Sequence, residues 1–347
     1  MSNLYTGALP LSAIRAAQAQ RAAQNAPDKT AHTGSVQDNG TAQNIKTLPL
    51  PVQERRFGTP TPAEGMERPR MFAGRQPAAN PRTSCIQRLY TIPEFMHTAA
   101  ESWRECGNEG TTGCTMRQAA SVIFVRDGDN GLETILTYRP GTSPLGVVAF
   151  PGGTALSGDD ESASWVGPGA EYWEEQFHFS DIAQARRSVM AAVRESFEET
   201  GILLAGEDDQ DVVERSSTPE LMAWREAVAA QDKSFSHFLT SSGLSVRADL
   251  LRPVARWQSP DFFLKRYDIA YFSTALPVGQ DPKLLLGKGV WGDWLNVREL
   301  LEAKDTSELG DRIGQPNTVG RTLDQLITPG VMCLLESLAK AQTSVAW

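Results

Sequence analysis

The segment from Asp181 to Gly201 constrains this chain more than any other, because its apolar residues return at helical spacing while acid crowds its C-terminal end. At ~100° per residue, with Val193 set at zero, Val189 and Phe197 fall within ~40°, whereas Glu195, Glu198 and Glu199 fall at ~200°, ~140° and ~240°. One face is core and the opposite face is acidic. Asp181 or a neighbour starts the helix, which should run to about Thr200 with Gly201 as the residue that leaves it.

A solvated acidic face, aided by an Arg194–Glu198 pair contributing ~0.2–0.5 kcal/mol, is one account of this pattern. Two features weigh against it. Glu198 and Glu199 lie in the last turn, where the helix dipole is negative. Three carboxylates at i, i+3 and i+4 also repel, by ~3 kcal/mol per pair at ~6 Å where the effective dielectric is ~20. A divalent cation reverses the sign of all these terms. Oxygen ligands on one helix face suit Mg²⁺ or Mn²⁺, which share their shell with water and substrate phosphates.

The chain upstream supplies a sheet. Ala119–Val125 reads as a buried strand, Asp127–Gly131 as a turn and Glu133–Tyr138 as a second strand, together a hairpin. Val147–Phe150 reads as a third strand, closed by Pro151-Gly152-Gly153, where the backbone must bend. Residues 154–180 read as a long aromatic connection, and Ile202–Leu204 as a strand resuming after the helix. Helices are expected from Thr218 to about Ala230 with Pro219 at its first position, and over Phe235–Leu239. Further strands are expected at Leu250–Trp257, Tyr267–Thr274 and Val290–Leu295, and helices at Val297–Ala303 and around Pro329. Mixed strands and helices without a regular βαβ rhythm argue for an α/β or α+β sandwich.

With these residues in place, the sequence resembles the Nudix hydrolase superfamily, whose box runs G-x5-E-x7-R-E-u-x-E-E-x-G-u, u being aliphatic. Arg194, Glu195, Glu198, Glu199, Gly201 and Ile202 match its second half, with Ser196 at the first aliphatic place, and Gly153 matches its first. Gly153 and Arg194 stand 41 positions apart rather than 14, so an insertion splits the box. The residue six after Gly153 is Asp159 rather than Glu, and Arg186, eight before Arg194, cannot replace it.

Leu136-Thr137-Tyr138-Arg139 followed by Gly146–Gly153 is similar to the signature of the coenzyme A and acyl-CoA diphosphatase branch, with slightly shorter spacing and without an internal arginine. The alternative is an alternating strand that simply enters a glycine turn. The resemblance implies an α/β/α sandwich around a mixed sheet, with added helices. It also implies Mg²⁺ or Mn²⁺ held by Glu195, Glu198, Glu199 and the Gly153 carbonyl. Arg194 would orient the carboxylates, and Arg139, Gly152 and Gly153 would meet the substrate. The substrate is then a small nucleoside diphosphate derivative, CoA or acyl-CoA first, ADP-ribose or NADH as alternatives. A Nudix-fold module that binds a nucleotide without cleaving it is an alternative of another class, and a scaffold role for the N-terminal arm a third.

No general base is singled out; the later segment offers Asp293, with Asp281 farther back. Arg256, Lys265 and Arg266, with Tyr267 beside them, are further cations for phosphates, each equally readable as surface charge or a salt bridge.

Residues 1–84, rich in Ala, Gln, Asn, Thr and Pro without sustained periodicity, are expected to be a flexible arm. Residues 85–116, with a short helix near Ile92–Arg104, form a lead-in, and 117–347 form the hydrolase domain, its box insertion at about 154–180. A net charge of -9 opposes nucleic acid, and no run of ~20 apolar residues offers a membrane span. The N-terminus carries Arg15 and Arg21 but lacks the apolar region of a secretory signal. Four cysteines without a C-x-x-C pair argue against zinc and suit reduced thiols in a cytoplasm.

Overall fold

The computed structural model describes residues 48–49, 94–105, 116–140, 146–214, 218–259, 262–263, 265–285, 289–341 and 343–344. Most of the expected N-terminal arm therefore lies outside the described residues. Its short strand β1 (Leu48–Pro49) pairs antiparallel with Asp211–Val212, and the expected lead-in helix is α1 (Glu94–Glu105).

The central sheet is mixed and has seven strands. β2 (Arg117–Gly128) and β3 (Gly131–Tyr138) form the expected hairpin, followed by two short strands, β4 (Val148–Ala149) and β5 (Gly152–Thr154). β4 pairs with β3 and β5 pairs with β2. A two-residue strand, β6 (Trp165–Val166), precedes helices α2 (Ala170–Phe177) and α3 (Ile182–Thr200).

The short strands β7 (Ala205–Gly206) and β8 (Asp211–Val212) lead to helices α4 (Pro219–Ala229) and α5 (Phe235–Ser241). β9 (Ser245–Arg247) joins β6 and β7 in a small separate sheet. β10 (Arg252–Gln258) and β11 (Tyr267–Ala275) return to the main sheet, and β12 (Gly292–Asn296) closes it. Its order is β10-β11-β2-β3-β12, with β11 parallel to β2 and the other pairings antiparallel. Four helices end the described chain: α6 (Val297–Glu302), α7 (Glu308–Ile313), α8 (Leu323–Leu326) and α9 (Pro329–Leu338).

Alternation along β2 makes this a three-layer α/β/α sandwich. Ala120, Val122 and Phe124 enter one core with α2, α3 and α5, while Ala119, Ile123 and Val125 enter the other with α6 to α9. Each layer is buried by a different helix set.

The segment 154–180, too aromatic for a simple linker, packs as its composition implies: Trp173 and Phe177 of α2 set their rings at 5.5 and 4.9 Å from Phe272 of β11, anchoring that helix on the sheet. One expectation is corrected. Ile202–Leu204 is fully buried but is not a strand, since the chain there is held singly. The Leu203 N–H donates to Gln280 Oε1 and the Leu204 carbonyl accepts from the Arg247 N–H.

Candidate active site

The glutamate-bearing helix α3 is set at both ends by local chemistry. Asp181 caps its start, accepting from the Gln184 N–H at 2.7 Å. Gly201 closes it at φ 76°, a left-handed conformation suited to glycine. Val189, Val193 and Phe197 are fully buried, as the helical projection requires, and Phe197 stacks on Phe238 of α5 at 5.3 Å.

The opposite face is not solvated. Glu198 is 2% exposed and Arg194 3%, and the Glu195 side chain is 12% exposed. Ser196, at the aliphatic place of the motif, is buried and donates to the Ala192 carbonyl at 2.7 Å, so its hydroxyl is satisfied within the helix. This face packs against β5 and the 3₁₀ turn Ser157–Asp160 that follows it.

Arg194 organises the cluster by using every N–H it has. Nε and Nη2 grip the two Asp159 oxygens at 2.8 and 3.0 Å, Nη1 reaches Glu195 and Glu198 at 2.8 Å each, and Nη2 also donates to the Thr154 carbonyl at 2.9 Å. Asp159 is 1% exposed and also accepts from the Leu156 N–H. The acid six residues after Gly153 thus meets the arginine from which it is separated in sequence by the whole 160–193 segment. Counting from the glycine finds Asp159 in the sequence; its bidentate partner is visible only in the fold.

Arg139 makes a second brace. It faces Glu199 at 3.2 Å and donates to the carbonyls of Phe150 and Gly152 at 3.1 and 2.6 Å, while the Gly152 N–H donates to Glu199 at 3.2 Å. At Gly153 a Cβ would stand 2.5 Å from the Glu195 carboxyl, so only glycine admits that side chain against the bend. The seven residues singled out in sequence, Arg139, Gly152, Gly153, Arg194, Glu195, Glu198 and Glu199, are gathered in one place.

The charges explain the perturbed groups. Burial opposes the charge of Arg194, but Glu195, Asp159 and Glu198 outweigh it and hold the guanidinium above its ordinary value. Burial raises the Glu195 carboxyl to about 7; Arg194 pulls it down, while Glu198 and Glu199 push it up. Four carboxylates, those of Asp159, Glu195, Glu198 and Glu199, are thus crowded around the guanidinium groups of Arg194 and Arg139.

Among the described residues, no three His, Cys, Asp or Glu side chains form a ready-made metal cage, because Glu195 and Glu198 turn to Arg194 and Glu199 turns to Arg139. The donor set nevertheless fits a hard divalent cation: oxygen atoms only, four crowded carboxyl groups and a glycine bend in contact with one of them.

This crowding predicts a pH dependence in chelator-treated protein. Folded Glu195 keeps its proton up to about pH 7, whereas the unfolded chain releases it near the ordinary 4.5. The folded state therefore binds more protons between those values, and stability falls as pH rises through them, by on the order of 3 kcal/mol. Denaturant melts at pH 5 and pH 8 measure the fall, and Glu195→Gln should flatten it. An equal fall in the variant would remove Glu195 as its source.

A residue that sequence reasoning missed secures the end of the helix. Arg225 of α4 is 1% exposed and donates to the Glu198 carbonyl from Nε and Nη2 at 3.1 and 2.9 Å, and from Nη2 to the Lys283 carbonyl at 2.7 Å. It supplies a cation to the negative end of the helix dipole, beside the acids. Burial lowers its own pKa to about 10, against the pull of Glu198. No motif marks it; an arginine among the apolar positions of an expected amphipathic helix was the only signal.

A cleft of about 270 Å³ opens beside the cluster, lined by Thr137, Tyr138, Arg139, Pro140, Glu199, Leu284 and Gly289. The other candidate phosphate cations are engaged elsewhere or exposed. Arg256 pairs with Asp268 and donates to the carbonyls of Phe177 and His178. Arg266 donates to the Ser259 carbonyl, and Lys265 is exposed. Asp293 pairs with Arg312 on the surface and Asp281 is exposed, so neither is placed as a base. Among the described residues no helix is long and apolar enough to cross a membrane.

No family model matches the chain, and no curated protein matches it. Among solved structures it is similar to a NUDIX hydrolase from Alicyclobacillus acidocaldarius, at 21% identity over 67% of this chain and 95% of that one, with a TM-score of 0.49. It is also similar to the NUDIX domain of Shewanella oneidensis NrtR complexed with ADP ribose, at 11% identity over 58% of this chain and 86% of that one, TM-score 0.30. A UDP-X diphosphatase gives 12% identity over 70% and 71%, TM-score 0.30. These identities and scores are low, and the chemistry of the site is read from its own residues.

Proposed function

We propose that this chain is a divalent-metal-dependent hydrolase of the Nudix type, cleaving the diphosphate bond of a nucleoside diphosphate joined to another group. The observation that carries the reading is the Arg194 network, which holds Asp159, Glu195 and Glu198 crowded in a buried cluster against the Gly153 bend. A structural helix gains nothing from such crowding of carboxyl groups; a cation-binding helix needs it.

Glu195, Glu198, Glu199 and the Gly153 carbonyl are the groups that would hold Mg²⁺ or Mn²⁺. Such an ion, when bound, neutralises diphosphate charge and makes a bound water more acidic. The chain's own part is positioning. Arg194 fixes the lateral placement of Glu195 and Glu198, and Arg139 fixes Glu199 and the Gly152 carbonyl. The absence of a side chain at 153 lets the carboxyls approach the bend. The 270 Å³ cleft, with Arg139 and Glu199 in its wall, receives the diphosphate ester.

Among substrates, CoA or acyl-CoA is favoured by Leu136–Arg139, of which Thr137, Tyr138 and Arg139 line the cleft, and by Gly146–Gly153, whose Phe150 and Gly152 carbonyls accept from Arg139. ADP-ribose and NADH are the second reading. A panel of these compounds with Mg²⁺ and with Mn²⁺, products resolved by chromatography, tests both. Release of 3′,5′-ADP from CoA is the expected result; release of AMP from ADP-ribose alone would move the assignment to the second reading. Tight nucleotide binding by calorimetry without any product would instead mark a binding module.

A further inference from the structure

Among the described residues, Leu284 is the one branched aliphatic side chain in the wall of the cleft, and its position is fixed from behind. The preceding residue is tied on both sides of its backbone: the Lys283 N–H donates to the Thr200 carbonyl of α3 at 2.7 Å, and the Lys283 carbonyl accepts from the side chain of Arg225 of α4, from Nη2 at 2.7 Å. Arg225 in turn holds the Glu198 carbonyl. The backbone carrying Leu284 is therefore clamped to the turn of helix that carries Glu198 and Glu199.

The side chain itself lies in space left by two glycines. A Cβ on Gly292 would stand 3.0 Å from Leu284 Cδ2 and 3.2 Å from Thr137 Cγ2, and one on Gly289 would stand 3.3 Å from Leu284 Cδ2. Leu284 thus lies over the start of β12 beside Thr137, in the same cleft as Arg139 and Glu199. It is half-buried, so its exposed part faces the cleft or solvent rather than the core.

We propose that Leu284 is a specificity-determining residue, an apolar stop that limits the size of the group joined to the diphosphate, held in register with the acidic helix by Arg225. The inference rests on the hydrolase reading and adds to it the element that selects among substrates. An apolar wall discriminates by volume, and each methylene of misfit in such a pocket shifts selectivity by roughly 10–200-fold. A clamp at residue 283 prevents the wall from yielding to a larger group, which is what gives the volume its effect.

The test is the ratio of kcat/KM between substrates of rising size, ADP-ribose, CoA and a dinucleoside tetraphosphate, each with Mn²⁺, for the full chain and for Leu284→Ala, Leu284→Val and Leu284→Phe. Alanine should move the ratio toward the larger substrates by about tenfold or more, valine by less in the same direction, and phenylalanine in the opposite direction. The valine variant, which loses one methylene, keeps the measurement available should phenylalanine misfold. Ratios within about twofold of wild type in the alanine and valine variants, or an equal loss on all substrates, would overturn the assignment while leaving the hydrolase reading intact. A wild-type chain that cleaves none of the panel would overturn that reading and this inference with it.

Discussion

Replacing Arg194 by methionine should cost about 3–5 kcal/mol of folding stability in chelator-treated protein, the largest effect expected from any single change at this site. The residue is 3% exposed and gives all its donors to Asp159, Glu195, Glu198 and the Thr154 carbonyl. Methionine fills similar volume, so packing changes little. What changes is that Asp159 and Glu198, at 1% and 2% exposure, lose their cation while remaining buried. The 3₁₀ turn at 157–160 loses its tie to α3, and cleavage in that turn by an added protease should accelerate. Arg194→Lys keeps the charge but offers three donors from a point rather than five from a plane, and should recover only part of the loss. A methionine variant within 1 kcal/mol of wild type would mean that the acids ionise independently of this arginine.

The helix that bears these residues was legible because its signals are local. Asp181, the spacing of Val189, Val193 and Phe197, and Gly201 act within a turn of themselves, and the helix begins and ends where they place it. The hairpin was legible for the same reason, its turn chemistry lying between two apolar runs. Solvation of the acidic face was not, because period alone distinguishes two faces without saying what covers the second. Here the cover is a turn brought back by Asp159, across a segment whose own helix, α2, hides its apolar character in three aromatics and a glycine start. Ser196 reads in sequence as a departure from an aliphatic position, yet its hydroxyl closes on the preceding turn and costs the core no unpaired group. Arg225 was invisible for the opposite reason: its role depends wholly on two carbonyls, of residues 198 and 283, that only the fold brings to it. The repulsion at the helix end, which in sequence seemed to call for a metal alone, is thus answered in part by arginines.

The crowding of carboxyl groups gives the second large effect: Glu198→Gln should lower metal-dependent turnover by about a hundredfold or more, and change folding stability by less than about 1 kcal/mol. Glutamine has the shape of glutamate and keeps a carbonyl oxygen for Arg194 Nη1, now 2.8 Å from the carboxylate. It removes one of four crowded negative charges, so the repulsion relieved offsets much of the weakened ion pair. A cation gains no such compensation, because the amide is a poor ligand for a hard divalent ion and the site's total charge falls. The Mn²⁺ concentration for half-maximal turnover should therefore rise together with the loss in rate. A purely structural role for Glu198 would shift the melting transition and leave the metal titration in place. Glu199→Gln separates the braces: its carboxylate meets Arg139 and the Gly152 N–H rather than Arg194, so metal dependence should move while the Asp159 turn keeps its protection. Wild-type activity in both variants would remove the acidic helix from the chemistry, whatever the panel of substrates reveals.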